Sequence, residues 1–288
     1  MVKKIFAYSY VYLIMLLLYA PIFVLIVFSF TAGTNLGDFS QGFSFDLYEE
    51  LFKDTELLNA LGNTLILAFL SAIISTVLGT CGAIGAYYSK RRSRNVLENL
   101  NQIPVVNAEI VMALSLTVMF VFVGSVIFKE SIFSFFTLLM GHCVLCVPFV
   151  YLNVKPKLVQ MDPSMYEAAL DLGATPTRAL TKVVVPQIIP GIASGFLLSI
   201  TLSLDDFIVT AFLRGPGLLN GEGQIETLST FVQSKIKKGP IPPTLRALTT
   251  IIFIIVLALA IGYSIYVNKK AKQDQRGRRR RGAWTKNI

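Results

Sequence analysis

Apolar residues in this chain come in runs long enough to cross a bilayer, and that leaves few folds open. A helix needs about 20 apolar residues to cover the hydrocarbon core. Six segments qualify: Ile5–Phe30, Thr64–Tyr87, Val105–Phe128, Ile132–Val154, Ile188–Leu213 and Ala247–Val267. A single water-soluble core has no use for so many. Composition agrees, since charged residues make up 15% of the 288 positions, against about 25% in soluble domains. The prediction is an all-α integral membrane protein with six transmembrane helices. The first run follows Met-Val-Lys-Lys, exceeds a signal-peptide core in length, and ends without a clear small-residue cleavage site. It reads as a retained span and signal anchor.

Lys and Arg placement sets the orientation, because cytoplasmic loops hold the excess. With the N-terminus inside, the cytoplasmic segments hold 19 of the 26 basic residues. The first outer loop, Thr31 to Asn63, has six acids and one lysine. Both termini are therefore expected in the cytoplasm of a bacterial cell, at its plasma membrane. The expected organisation is an N-terminal span with an outer lead-in (1–57), a membrane core (58–267) with a cytoplasmic loop at 155–187, and a basic tail (268–288). The tail RGRRRRG and the net charge of +9 suggest either nucleic acid or anionic lipid headgroups. A tail that follows a span directly favours lipid over nucleic acid.

Cys81, Cys143 and Cys146 fall within spans and have no metal-type partner set, so they read as small hydrophobes. His142 is the one histidine, near the middle of span four. It reads as a ligand or proton carrier, or as a group that bonds a neighbouring helix. Gly79, Gly82 and Gly85, with Ser75 and Ala83, give span two a small-residue packing face. Glu109 lies near the cytoplasmic start of span three, and Pro21, Pro148 and Pro190 are expected to kink or start spans.

The loop between spans four and five is punctuated as two helices. Asp162-Pro163 supplies a cap and a first-turn proline, and Ser164 with Glu167 offers an alternative capping box. Met165, Ala168, Ala169 and Leu172 form one apolar stripe, with Glu167 and Asp171 off it. Gly173 suits the helix end, where positive φ is favoured. Thr175-Pro176 starts a second helix that runs toward Pro186. A first helix of about 15 Å is too short to be stable alone, so it reads either as an ordinary surface helix or as a docking element.

The stretch EAALDLGATPTRALTKVVVP resembles the EAA loop of binding-protein-dependent ABC importer permeases. Glu167, Ala168, Ala169, Gly173 and Pro186 stand at the family's spacing, and Val183 and Val185 replace its Ile and Leu. The resemblance implies a type I ABC transporter transmembrane domain (MetI-like) whose loop docks on an ATP-hydrolysing subunit. Outside the loop, FSFDLYEELFKDTELLNALGNTLILAF, SLDDFIVTAFLRGPG and KIKKGPIPPTLRALTTI are similar to spermidine/putrescine permeases of the PotC type. That implies polyamine transport, a PotA-like ATPase, a PotB-like sister permease in a heterodimer, and a PotD-like extracytoplasmic binding protein.

Asp205 and Asp206 lie in the outer half of span five. An ionised Asp in lipid costs about 2.5–3.5 kcal/mol on insertion scales, so both need a watery or paired setting. Either one or both line the pathway of a cationic substrate, or they form a structural pair that caps helix ends or bridges to Arg214.

No G-x-x-x-x-G-K-[ST] phosphate loop is present, so ATP is expected to be handled by another chain, and no cofactor or catalytic residue is expected. An intramembrane aspartyl protease needs two convergent acids, and adjacent residues on one helix do not converge. A metalloprotease needs more than one histidine. A secondary transporter is the weaker alternative, since no internal repeat is visible. Within the ABC reading, the alternative cargo is ferric iron, sulfate or an amino-acid derivative.

Overall fold

The computed structural model describes residues 2–31, 42–215, 225–239, 242–258 and 261. In chain order the helices are α1 (Val2–Ser29), α2 (Asp46–Lys53), α3 (Thr55–Tyr88), α4 (Arg91–Val106), α5 (Glu109–Val123), α6 (Phe135–Gln160), α7 (Ser164–Asp171), α8 (Pro176–Ala179), α9 (Val185–Asp205), α10 (Ile208–Leu213) and α11 (Leu228–Lys238), followed by α12 (Thr244–Ala258). Among the described residues the only β feature is one isolated antiparallel bridge, Thr31 with Phe43. Two compact units are formed, Met1–Thr55 with Gly239–Ile288, and Glu56–Lys238.

Five helices among the described residues are long and apolar enough to span a membrane: Tyr8–Ser29, Thr55–Tyr88, Glu109–Phe128, Phe135–Gln160 and Pro176–Asp205. The described part of the expected sixth span is α12, and most of the rest of that span lies outside the described residues, as does the basic tail 268–288.

In the first unit, α1 ends in an aromatic cluster. Phe30 stacks on Phe43 at 5.5 Å and packs against Tyr48 at the same distance. The Tyr48 hydroxyl lies 2.9 Å from Ser29 Oγ.

The second unit is built on close contact between α6 and α9. A Cβ on Gly191 would sit 2.8 Å from the Asn153 carbonyl oxygen, and one on Gly195 would sit 3.1 Å from Val150 Cα. Small residues let the backbones approach where lipid supplies no hydrophobic drive. Val150 also receives α3, because a Cβ on Gly79 would lie 2.7 Å from Val150 Cβ. The expected glycine face of span two is thus narrower than its spacing suggests. Gly82 has its nearest neighbour at 3.9 Å and Gly85 has none within 4 Å.

Two expected spans are interrupted. The third does not run through from Val105: Asn107 and Ala108 adopt extended backbone, and α5 begins at Glu109. An acid in the first turn suits the positive end of the new helix. The fifth breaks at Asp206 and Phe207, where α9 gives way to α10. Pro21, Pro148 and Pro190 all lie inside helices rather than at their starts.

Candidate functional site

The loop between spans four and five folds as two short helices around a glycine corner. At its entry the Asp162 carboxylate accepts the Ser164 N–H at 3.0 Å. Hydrogen bonding to Ser164, through its side chain first and its N–H second, holds the Asp162 carboxyl below the usual aspartate range. Asp162 fills the capping role; the alternative box needs Ser164 at the N-cap position, and Pro163 stands there instead. At the exit Gly173 has φ of +84°, a conformation that a Cβ disfavours. The Ala174 N–H then reaches back to the Ala169 carbonyl at 3.0 Å, and the Gly173 N–H to Leu170 at 2.9 Å. This bond pair satisfies the carbonyls that a helix end leaves open. Thr175 Oγ1 accepts the Arg178 N–H at 3.4 Å, with Pro176 in the first turn.

Between α8 and α9 the helix widens into a π turn, Leu180–Val184. Pro186 follows one residue later, in the first turn of α9. Its ring clashes with the carbonyl four residues back in a regular turn and it donates no hydrogen bond there, so a wider turn relieves the conflict.

The inner side of α7 is tied to the membrane helices. Tyr166 packs on Tyr88 of α3 at 5.0 Å, and Gln187 Nε2 donates to Met165 Sδ at 3.2 Å. On its other side Glu167, Ala168 and Leu172 are exposed, Leu172 at 89%; Met165 is also exposed despite its bond to Gln187, and Ala169 is half-buried. The stripe expected from spacing therefore splits, and part of it remains open on the surface with Glu167 beside it.

At the break in span five, Asp205 and Asp206 part. Asp205 is exposed at the last position of α9, and Asp206 is buried. The Asp206 carboxylate caps α10, accepting the Val209 N–H at 3.2 Å, the Thr210 N–H at 2.9 Å and the Thr210 hydroxyl at 3.1 Å. Its carbonyl accepts Ser229 Oγ of α11 at 2.7 Å. Arg214 pairs with Glu226 at 3.9 Å.

His142 of α6 joins this cap to the core. Its Nε2 lies 3.0 Å from Thr210 Oγ1 and 3.5 Å from Asp206 Oδ2, and its Nδ1 lies 2.8 Å from Ser203 Oγ. Ser71 of α3 donates to Ser203 at 3.0 Å. A neutral imidazole with its proton on Nε2 gives every donor one acceptor: Ser71 to Ser203, Ser203 to His142, His142 to Thr210, and Thr210 to Asp206. All five residues are buried, so the chain binds α3, α6, α9 and α10 without an unpaired polar group among them. His142 thus bonds neighbouring helices. Ser71, Ser203 and Thr210 carried no signal in the sequence, because isolated hydroxyls in spans are common.

Glu109 is exposed at the start of α5. Cys143 and Cys146 are buried and Cys81 is exposed. Among the described residues no group of three or more His, Cys, Asp or Glu is placed to hold a metal.

Comparison with known proteins gives a consistent assignment. Residues 76–271 match the family described as "Binding-protein-dependent transport system inner membrane component". The chain is 34% identical over 255 residues to the spermidine/putrescine transport system permease protein PotC of Escherichia coli (strain K12), covering 88% of this chain and 91% of that protein. It is 33% identical over 236 residues to the putrescine transport system permease protein PotI of the same strain, covering 82% of this chain and 81% of that protein. In fold it is similar to a bacterial ABC transporter that imports alginate, with a TM-score of 0.68 at 17% identity, covering 92% of this chain and 95% of that one. It is also similar to the inward-facing MetNI methionine transporter, with a TM-score of 0.54 at 18% identity, over 70% and 90% of the two chains. The all-helical architecture is that of ABC importer permeases, in which a separate subunit hydrolyses ATP. The chain belongs to the binding-protein-dependent transport system inner membrane component family, as a multi-pass permease subunit of an ABC importer.

Proposed function

We propose that this permease carries polyamines, spermidine or putrescine, delivered by an extracytoplasmic binding protein and driven by an ATPase docked on α7. The observation that carries the cargo assignment is 34% identity to a spermidine/putrescine permease across 88% of the chain, well beyond the coupling loop. The break in span five supports it. Asp205 sits exposed at the C-terminal end of α9, where the helix dipole adds to its own negative charge. Broken helices are how many transporters present charge to cargo at membrane depth. A polyammonium chain fits that charge, whereas sulfate does not. Asp206 is spent on the α10 cap, so Asp205 is the acid that faces the pathway.

Glu167, Ala168, Ala169, Gly173 and Pro186 form the coupling element. The open face of α7 offers an apolar patch and an acid to the ATPase, and the Tyr166–Tyr88 contact passes its motion to α3. The membrane assembly is a heterodimer with a PotB-like sister, served by a PotA-like ATPase and a PotD-like binding protein. Both termini face the cytoplasm, as the lysine and arginine count favours.

Uptake by the reconstituted complex tests this reading, with labelled spermidine, putrescine, sulfate and ferric iron offered separately. ATP-dependent polyamine uptake that disappears in Gly173→Asp is the expected result. Uptake of sulfate or iron alone would sink the polyamine assignment.

A further inference from the structure

Helices α3, α4 and α6 line two cavities in succession. One, of about 410 Å³, lies among Tyr87, Arg94, Glu98, Tyr151 and Lys155. The other, of about 570 Å³, is lined by Ile74, Leu78, Leu97, Leu100, Val144 and Val147, among other mostly apolar side chains. On every helix the lining runs on from one cavity to the next: Leu78 to Ala83, Leu97 to Glu98, and Pro148 to Tyr151. The polar cavity lies at the end of α3 that leads into the basic segment SKRRSR, and the apolar one reaches toward the middle of the spans.

The charges in the polar cavity do not balance. Glu98 accepts Lys155 at 2.9 Å and lies 4.0 Å from Arg94. One acid thus faces two cations. Helix α4 adds more positive charge, with Lys90, Arg91 and Arg92 at its start and no acid in its first turn. It has no buried residue, and its Val96, Leu97, Leu100 and Ile103 are exposed. A basic amphipathic helix with an open apolar face belongs in the headgroup region of an anionic leaflet.

We propose that the two cavities together bind one anionic phospholipid of the cytoplasmic leaflet. Its phosphate sits between Arg94 and Lys155, and an acyl chain lies in the apolar groove against Leu97 and Leu78. A free phosphate has no use for the groove, and a neutral lipid leaves the cationic end without an anion.

The intact complex, with sister permease and ATPase, is reconstituted into mixed phosphatidylcholine–phosphatidylglycerol nanodiscs, extracted in mild detergent, and its retained lipid counted by mass spectrometry. Phosphatidylglycerol is expected to be retained over phosphatidylcholine. Arg94→Gln lowers that retention about fivefold, the worth of one basic residue near an anionic surface. Glu98→Gln raises it, because it removes the one acid. A purely structural Lys155–Glu98 bridge predicts no such gain. Leu97→Trp fills the groove and lowers retention with the charges intact. Equal retention of the two lipids overturns the proposal, as does retention that none of the three variants changes. Photo-cross-linking to the sister permease from a p-benzoylphenylalanine placed at position 97 in the intact complex overturns it as well, since protein would then occupy the groove.

Discussion

Asp205 and Asp206 are adjacent in the chain and occupy opposite environments. Asp205 ends α9 with its side chain exposed, and Asp206 turns inward to accept three hydrogen bonds from the first turn of α10. The break between the two helices depends on that inward turn. Without an acceptor, the Val209 and Thr210 amides would be buried at a helix start with no partner.

The two acids therefore fail differently when replaced. Asp206→Ala leaves buried donors unsatisfied, a cost of about 1–3 kcal/mol for such a group, and lowers the thermal midpoint of the purified complex. Asp205→Asn leaves that midpoint unchanged. A charged hydrogen bond contributes about 1.5–3 kcal/mol, so Asp205→Asn lowers polyamine uptake efficiency about tenfold or more. Uptake kinetics alongside thermal unfolding separate the two, and equal behaviour of the two variants would contradict the division of roles.

His142→Ala removes the link between Ser203 and Thr210 and opens a cavity in the core. The loss is about 3 kcal/mol, from hydrogen bonding and cavity formation together. His142→Gln keeps a donor and an acceptor and recovers part of it. Yield of monodisperse complex after graded heating reads out both variants, and a fully stable alanine variant would mean the network contributes nothing.

Close approach of α6 and α9 makes Gly191 intolerant of a methyl group. Gly191→Ala drives a Cβ against the Asn153 carbonyl and Val154 Cα, and backbone atoms cannot rotate away. Overpacking of this kind costs about 1–3 kcal/mol. Gly85→Ala meets nothing within 4 Å and is expected to be neutral or slightly stabilising. Measuring both in one denaturation series checks that the difference comes from packing and not from glycine itself.

The Asp162 cap has a defined pH dependence. Its folded carboxyl titrates below the ordinary aspartate value because hydrogen bonds from Ser164, its side chain first and its N–H second, favour the charged form. The cap is then fully present above that ordinary value, about 3.9, and is lost as pH falls through the lowered one. Measured against its intrinsic exchange rate, the Ser164 amide should stay protected from neutral pH down to about 4 and lose that protection below it. In Asp162→Ala the amide exchanges at its intrinsic rate throughout. Fast exchange at neutral pH in the unaltered protein would show that the cap does not form.

Several features follow from residue chemistry within one segment. Apolar runs longer than a soluble core can use require a membrane. A loop of Asp162-Pro163, Gly173 and Thr175-Pro176 specifies two helices and the corner between them, because caps and positive φ are local properties of a few neighbouring residues. The interrupted helices and the buried network are of another kind. Nothing within Ile188–Leu213 distinguishes a continuous span from one broken at Asp206, since an apolar count is blind to where a carboxylate turns. The turn is supported by His142 on α6, which meets Thr210 of the cap from outside that segment, and by Ser71 on α3, which reaches His142 through Ser203. Gly79 and Gly85 look alike in sequence, yet only Gly79 faces Val150. Which glycine is constrained, and which of two adjacent acids stays free, depends on partners tens of residues away, and tertiary packing alone brings those partners into reach.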